Sequence, residues 1–215
     1  MSLDIRNLNV AIESVPILHN VSLSVGAGQM VGLIGHNGAG KTTLIRTLMG
    51  LLDASSGSIH FAGNDLRAQP GYQRAASGIS YLPEDRRLIP ALTVQENILL
   101  PVWANKLPGS AERLEWVYSL IPEIAQFRDR RAMQLSGGQQ KLVALARALM
   151  PGNRLLILDE PFEGVAPVLS RRLSEVIAQL GQEGLCVLIS ESDDTHSADL
   201  VDALYRIERG SVRAG

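Results

Sequence analysis

The stretch "GHNGAGKTT", Gly35 to Thr43, decides how this chain is read. Three glycines, one lysine and two threonines fall in nine positions, directly after the apolar run "MVGLI". The pattern is G-x-x-x-x-G-K-[ST], a phosphate-binding loop set between a strand and a helix. Gly35, Gly38 and Gly40 carry no side chain, so the loop's amides can wrap an anion closely. His36, Asn37 and Ala39 complete the loop, with His36 read as a spacer and not as a base. A helix starting near Lys41 points its positive end at the same anion. Lys41 is expected to reach the β- and γ-phosphates, Thr42 to place its hydroxyl on Mg²⁺, and Thr43 to bond the α-phosphate. A glycine-rich turn with a chance lysine would not require a strand on one side and a helix on the other.

Working outward, "LDIRNLNV", "VSLSV" and "MVGLIG" read as strands, followed by a helix "TTLIRTLMGLL" and the strands "SGSIHFAG" and "GISYLPE". From Leu92 to Met150 the texture turns helical, in "TVQENILLPVWA", "SAERLEWVYSLIPEI" and "SGGQQKLVALARALM". Strands return in "RLLILDE", "LCVLIS" and "ALYRI", with a helix from about Pro167 to Leu180 between the first two. Near-continuous apolar strands suit a parallel sheet buried on both faces.

"LLILDEP" is such a strand, ending in two carboxylates. An acid there lies at the carboxyl edge of the sheet, where ligands of doubly wound folds bind. Asp159 is expected to hold Mg²⁺ through water, and Glu160 to polarise the attacking water as general base. By itself this could be a solvated turn after a buried strand; the upstream phosphate loop makes it a site.

"LSGGQQ", Leu135 to Gln140, resembles the signature motif of the ATP-binding cassette (ABC) proteins, and the other two motifs stand in that family's order. Ser136 supplies a hydroxyl, Gly137 and Gly138 expose amides, and a helix N-terminus follows. The resemblance covers nearly the whole chain. It implies an α/β fold: a P-loop NTPase core with a mostly parallel sheet, an N-terminal antiparallel β segment and an inserted α-helical subdomain. One domain would span 1–215, its core about 1–90 and 151–215 and its helical part about 91–150. It also implies two subunits meeting head to tail around two ATP molecules, as a homo- or heterodimer. Each site would take Lys41, Thr42, Asp159 and Glu160 from one subunit and Ser136, Gly137, Gly138 and Gln139 from the other.

Finer segments, "YLPEDRR", "TVQENI", "EWVYSLIPEI" and "EGVAP", resemble ATPases of branched-chain amino acid importers and their urea-importing relatives. Many cassettes carry glutamine where this chain has Glu84, a nucleotide-side residue. Glu84 to Leu100 would flank a groove that accepts a helix of the membrane subunit. Two positions depart from the family. Its adenine-stacking aromatic is replaced by Ile12, which offers apolar contact without a ring. Its switch histidine is replaced by Ser192, which lies ten residues before Asp202; His196 lies only six before it. The family commonly continues with a further helix beyond "YRIERGSV", which this chain is expected to lack.

Composition narrows the rest. The net charge of −2 argues against a nucleic-acid footprint. Cys186 stands inside an apolar run and is expected as a buried thiol. Neither a ~20-residue apolar span nor a secretory signal is visible, so the chain is expected on the cytoplasmic face of the membrane, held there by permease subunits. A substrate-binding protein would be an indirect partner. The expected function is an ATP-hydrolysing subunit of an importer for branched-chain or related amino acids or amides. The alternatives are a catalytically weakened partner in an asymmetric dimer and a non-transport cassette ATPase.

Overall fold

A computed structural model describes residues 2–151 and 154–215. Residues 1, 152 and 153, which fall within the expected core bounds, lie outside it. Strands β1 (Leu3–Ile12) and β2 (Val15–Val25) form a long hairpin, turned at Glu13 and Ser14, both with positive φ. β1 also pairs with β4 (Ser56–Phe61), and β4 with the short β5 (Asn64–Asp65), giving an antiparallel sheet in the order β2-β1-β4-β5.

The second sheet carries the chemistry. Its strands are β3 (Met30–Ile34), β6 (Ile79–Leu82), β7 (Leu155–Asp159), β8 (Cys186–Glu191), β9 (Ala203–Glu208) and β10 (Ser211–Ala214). The order is β10-β9-β3-β8-β7-β6, parallel except for the β9–β10 hairpin. β3, β7 and β8 are buried along their whole length. Alternate residues feed two separate cores, as the period-2 pleat requires. Leu155 and Ile157 face the antiparallel sheet, together with helix α1 (Lys41–Leu48). Leu156 and Leu158 face the helices.

Those helices are α2 (Val94–Asn105), α3 (Ser110–Leu120), α4 (Pro122–Ala125) and α5 (Gly137–Leu149), all between β6 and β7, and α6 (Pro167–Gln182), between β7 and β8. The single helix expected over "SAERLEWVYSLIPEI" is two. Ile121 breaks it at φ −127°, ψ 69°, because the following Pro122 crowds an α-helical predecessor. The hairpin from β9 to β10 was not anticipated; Arg209 and Gly210 turn it with two positive φ values.

Register then does the positioning. Ile34 pairs with Glu191 and Asp159 with Ser190. The carboxyl ends of β3, β7 and β8 therefore finish side by side, and the loops leaving them share one crevice.

α2 opens with a complete capping box. The Thr93 hydroxyl accepts from the Glu96 amide at 3.2 Å, and the Glu96 carboxylate accepts from the Thr93 amide at 2.7 Å. Thr93→Ala should destabilise the chain by about 1 kcal/mol in urea unfolding. An unchanged midpoint would mean that the cap adds nothing to the stability of this helix.

Candidate functional site: a phosphate loop and two strand-end acids

The loop from Gly35 to Gly40 leaves β3 and enters α1. Gly38 and Gly40 have φ of 82° and 114°, which side-chain-bearing residues rarely adopt. A Cβ on Gly35 would run into the Ile207 carbonyl, so the loop can lie against β9 only as glycine. His36 and Asn37 are exposed and Ala39 is half-buried. Thr42 is exposed at the first turn of α1, while Thr43 is half-buried and its carbonyl accepts from the Thr47 hydroxyl at 2.9 Å.

Lys41 is buried and its ammonium group folds back into the loop. It donates to the carbonyls of Gly35 and His36 and forms a 3.0 Å ion pair with Glu160. Both side chains are about 5% exposed, at 4% and 5%. The cation thus sits between two loop carbonyls and the Glu160 carboxylate.

Glu160 is held on every side. Its carboxylate accepts from the Ser192 hydroxyl at 3.0 Å and the Ser192 amide at 3.2 Å. Its amide donates to Ser190 O, and its carbonyl accepts from Lys141 Nζ at 2.7 Å. This is needed because Glu160 has φ 49°, a left-handed conformation that costs a non-glycine residue roughly 1 kcal/mol or more. Ser192 Oγ also lies 3.2 Å from Asn37 Oδ1, which ties the phosphate loop to the end of β8.

Asp159, beside it, accepts from Ser190 Oγ at 2.6 Å and from the Tyr81 hydroxyl at 3.3 Å. Burial raises its pKa above the usual carboxylate range, and the two hydrogen bonds pull it part of the way back. Thr42 and Asp159 offer a hydroxyl and a carboxylate, hard oxygen donors of the kind Mg²⁺ takes. That ion usually binds one or two protein groups and completes its shell with phosphate and water. The donor set fits.

Glu84 is exposed just beyond β6. Its carboxyl is pushed up by partial burial and by the nearby Glu163, Asp159 and Glu160, which places it on the acidic side of the crevice. Ser136 to Gln139 are not tied to the phosphate loop by any hydrogen bond among the described residues. Ser136 Oγ accepts from the Gln139 amide and Gln139 Oε1 from the Ser136 amide, capping α5 at the surface. Ile12 ends β1, opposite Val15, and both are exposed. His196 is elsewhere: its ring lies 5.4 Å from that of Phe162 and 3.3 Å from Ser170 Oγ. Ser192, not His196, reaches Glu160.

Four residues of the crevice escaped the sequence reading: Tyr81, Lys141, Ser190 and Glu191. Lys141 and Glu191 had a visible signal, a charge at the head of the apolar run "KLVALARALM" and one near the end of "LCVLISES".

A family model described as ABC transporter matches residues 18–163. The chain belongs to the ABC transporter family. Among relatives of this ATPase, the high-affinity branched-chain amino acid transport ATP-binding protein BraG of Pseudomonas aeruginosa is 37% identical, over 92% of this chain and 85% of its own. The lipopolysaccharide export system ATP-binding protein LptB of Haemophilus influenzae is 35% identical, over 97% of this chain and 88% of its own. The solved ATP-binding cassette MJ1267 in its ADP conformation superposes with a TM-score of 0.86 at 28% identity, over 99% of this chain and 90% of that one. Family and fold together make this chain an ATP-binding and ATP-hydrolysing cassette.

Two outcomes follow. Glu191 is buried beside Glu160, and its carboxyl is pushed up to about 9, first by burial and then by Glu160. The folded state therefore keeps a proton that the unfolded chain loses near pH 4.5. Stability falls as pH rises between those values and is fully present only below the lower one. Glu191→Gln keeps an oxygen for the Phe162 amide, which now donates to Glu191 at 3.2 Å, but cannot ionise. Melting curves should show the variant gaining on the parent as pH is raised from 6 to 9; parallel curves would contradict the buried carboxyl. In addition, Ile12→Tyr should tighten ATP by about 1 kcal/mol through ring stacking. A titration without that gain would remove Ile12 from the adenine position.

Proposed function

We propose that this chain is the energising subunit of an importer for branched-chain amino acids, or for related small amino acids or amides. The observation that carries the reading is the meeting of Lys41, Asp159, Glu160 and Ser192 in one crevice at the ends of β3, β7 and β8. BraG supports the choice of cargo.

In this reading the loop amides from Gly35 to Gly40 cradle the phosphates of ATP. Lys41 turns from Glu160 to the terminal phosphates, and Thr43 bonds the first. Thr42 and Asp159 would hold Mg²⁺, which supplies positive charge against the phosphate oxygens when bound. Glu160, released from Lys41, polarises the attacking water, and Ser192 keeps its carboxylate oriented. Glu84 lies on the same side, and Ile12 lies against the adenine. A second cassette, identical or homologous, lends Ser136, Gly137, Gly138 and Gln139; in this chain Ser136 and Gly137 are exposed, Gly138 and Gln139 are half-buried, and the Ser136 and Gln139 side chains are spent on their own helix cap.

The coupling surface is the cleft between the end of α1, the segment following β6 and α5. A recess of about 580 Å³ is lined by Leu51, Tyr72, Tyr81, Pro83, Arg87 and Arg147. Leu51 and Tyr72 are 53% and 76% exposed there, an apolar cover of the kind a permease helix would provide. Among the described residues no helix is long and apolar enough to cross a membrane, so the permease does the spanning. The complex places this chain at the cytoplasmic face, with a substrate-binding protein acting on the far side and no nucleic acid involved.

LptB, matched over more of the chain at nearly the same identity, favours a second reading: a motor for export of an amphipathic cargo. Purifying the native complex and identifying its other subunits separates the two. A binding protein and uptake of labelled leucine support the first; export subunits without uptake support the second. Within either complex, Glu160→Gln should lower ATP turnover at least a hundredfold, the lower range for loss of a general base, while ATP binding persists. Unchanged turnover would take Glu160 out of its assigned role and favour the weakened-partner reading.

A further inference from the structure

Lys141 is the one charged side chain counted among the largest fully buried groups of the described core, at 1% exposure. It lies on α5, two residues past the turn Ser136–Gln139. Its Nζ ends on the main-chain carbonyl of Glu160 at 2.7 Å. We infer that Lys141 is a positioning residue for ATP hydrolysis: it clamps the Glu160 backbone to the first turns of α5, so that the signature turn and the base move as one piece. The inference rests on Glu160 acting as base.

Three observations converge on it. First, Glu160 is left-handed at φ 49°, so its main chain needs fixed partners. Apart from Lys141, these are Ser190 O for its amide and the Glu163 amide, 3.3 Å from its carbonyl. Only Lys141 comes from the helical insert. Second, the same two segments touch again nearby. A Cβ on Gly138 would come within 2.8 Å of Leu169 Cδ2 on α6, so the first turn of α5 lies against the chain following Glu160. Third, a buried ammonium is a costly way to fill space. Burial, and then Arg86, hold its pKa below the usual lysine range, while Glu191, Glu163 and Glu84 pull it back. Leucine or methionine would pack a helix face at lower cost, so the amine is kept for the bond that it makes.

The geometry gives the clamp a direction. Pressure on Ser136 to Gln139 from the partner's nucleotide moves α5, and Lys141 passes that movement to Glu160 of the opposite site. Charge balance in an acidic crevice would be the plainer role, and the two roles differ in what can replace the lysine.

The test compares full-length Lys141→Gln, Lys141→Met and Lys141→Ser with the parent, by steady-state ATPase kinetics and thermal melts. Gln keeps a donor for the carbonyl without the charge; Met keeps the bulk without the donor. The clamp predicts kcat within threefold of the parent for Lys141→Gln and thirty- to a hundredfold lower for Lys141→Met, with KM for ATP within threefold in both. Lys141→Ser, which leaves room for water, replaces Lys141→Met in the comparison if the latter does not fold. Equal kcat losses in Lys141→Gln and in the variant whose side chain cannot reach the Glu160 carbonyl would overturn the clamp in favour of charge balance, and unchanged kcat in all would overturn it outright. Glu160→Gln run in parallel separates the two ideas: if it still turns over ATP, the base assignment has failed, and if it is inactive while Lys141→Met is normal, only the clamp has.

Discussion

The ion pair between Lys41 and Glu160 is the contact on which the rest of this site depends. Two opposite charges lie 3.0 Å apart with almost no access to water. Removing one partner of such a pair typically costs about 3–5 kcal/mol, because the other is left buried and uncompensated. Around Glu160 that cost would be sharpened by Asp159, a second buried carboxyl. Lys41 is therefore the charge paired directly with Glu160, while Glu191 shares the crevice by keeping its proton. On the proposed reading the terminal phosphate competes with Glu160 for that cation. The base is masked while the site lacks nucleotide and is released by the substrate it acts on, with no separate moving part.

Such a pair has to be held in place by the sheet. β3, β8 and β7 are adjacent and parallel, and their register sets Ile34 against Glu191 and Asp159 against Ser190. A slip of one residue would turn each of these side chains to the opposite face. The apolar alternation that fills the two cores thus also fixes the chemistry. Leu156 and Leu158 cannot reach one core, nor Leu155 and Ile157 the other, unless Asp159 ends where it does. Packing energy, spread over dozens of buried side chains, guarantees the geometry of a handful of polar ones.

This division also explains what the sequence made visible. The phosphate loop, the acid-tipped strand and the signature turn are local patterns, each set by short spacing and backbone need, and they could be read directly. Counting against Asp202 singles out Ser192 for the switch position, and its hydroxyl lies 3.0 Å from Glu160. What stayed hidden is what depends on contact between distant segments. Tyr81 meets Asp159 across 78 positions, and Ser190 meets it across 31; neither residue type is unusual in a strand. The β1–β2 turn at Glu13 and Ser14 gave no warning, because both take positive φ without glycine or asparagine. The break at Ile121 was legible in Pro122 and was overridden by the helical spacing on either side.

The cargo is the part that these residues do not encode, and the physics says where its trace would lie. A motor that hydrolyses ATP needs the same loop, acids and signature turn whatever is moved, which is why BraG and LptB can both resemble this chain at 37% and 35% identity. Nothing transported need touch the crevice. The surface that must differ between an importer and an exporter is the one that meets the membrane subunit, and on the proposed reading that would be the cleft with Leu51, Tyr72, Arg87 and Arg147. Arg147 donates to the carbonyls of Arg86 and Arg87, both left-handed at φ 62° and 49°. The wall of the cleft is therefore shaped by the same helix, α5, whose first turns carry Ser136 and Lys141. Nucleotide at one end of that helix and permease at the other would be read by a single rigid element, so the choice of partner can change while the hydrolytic site stays as it is.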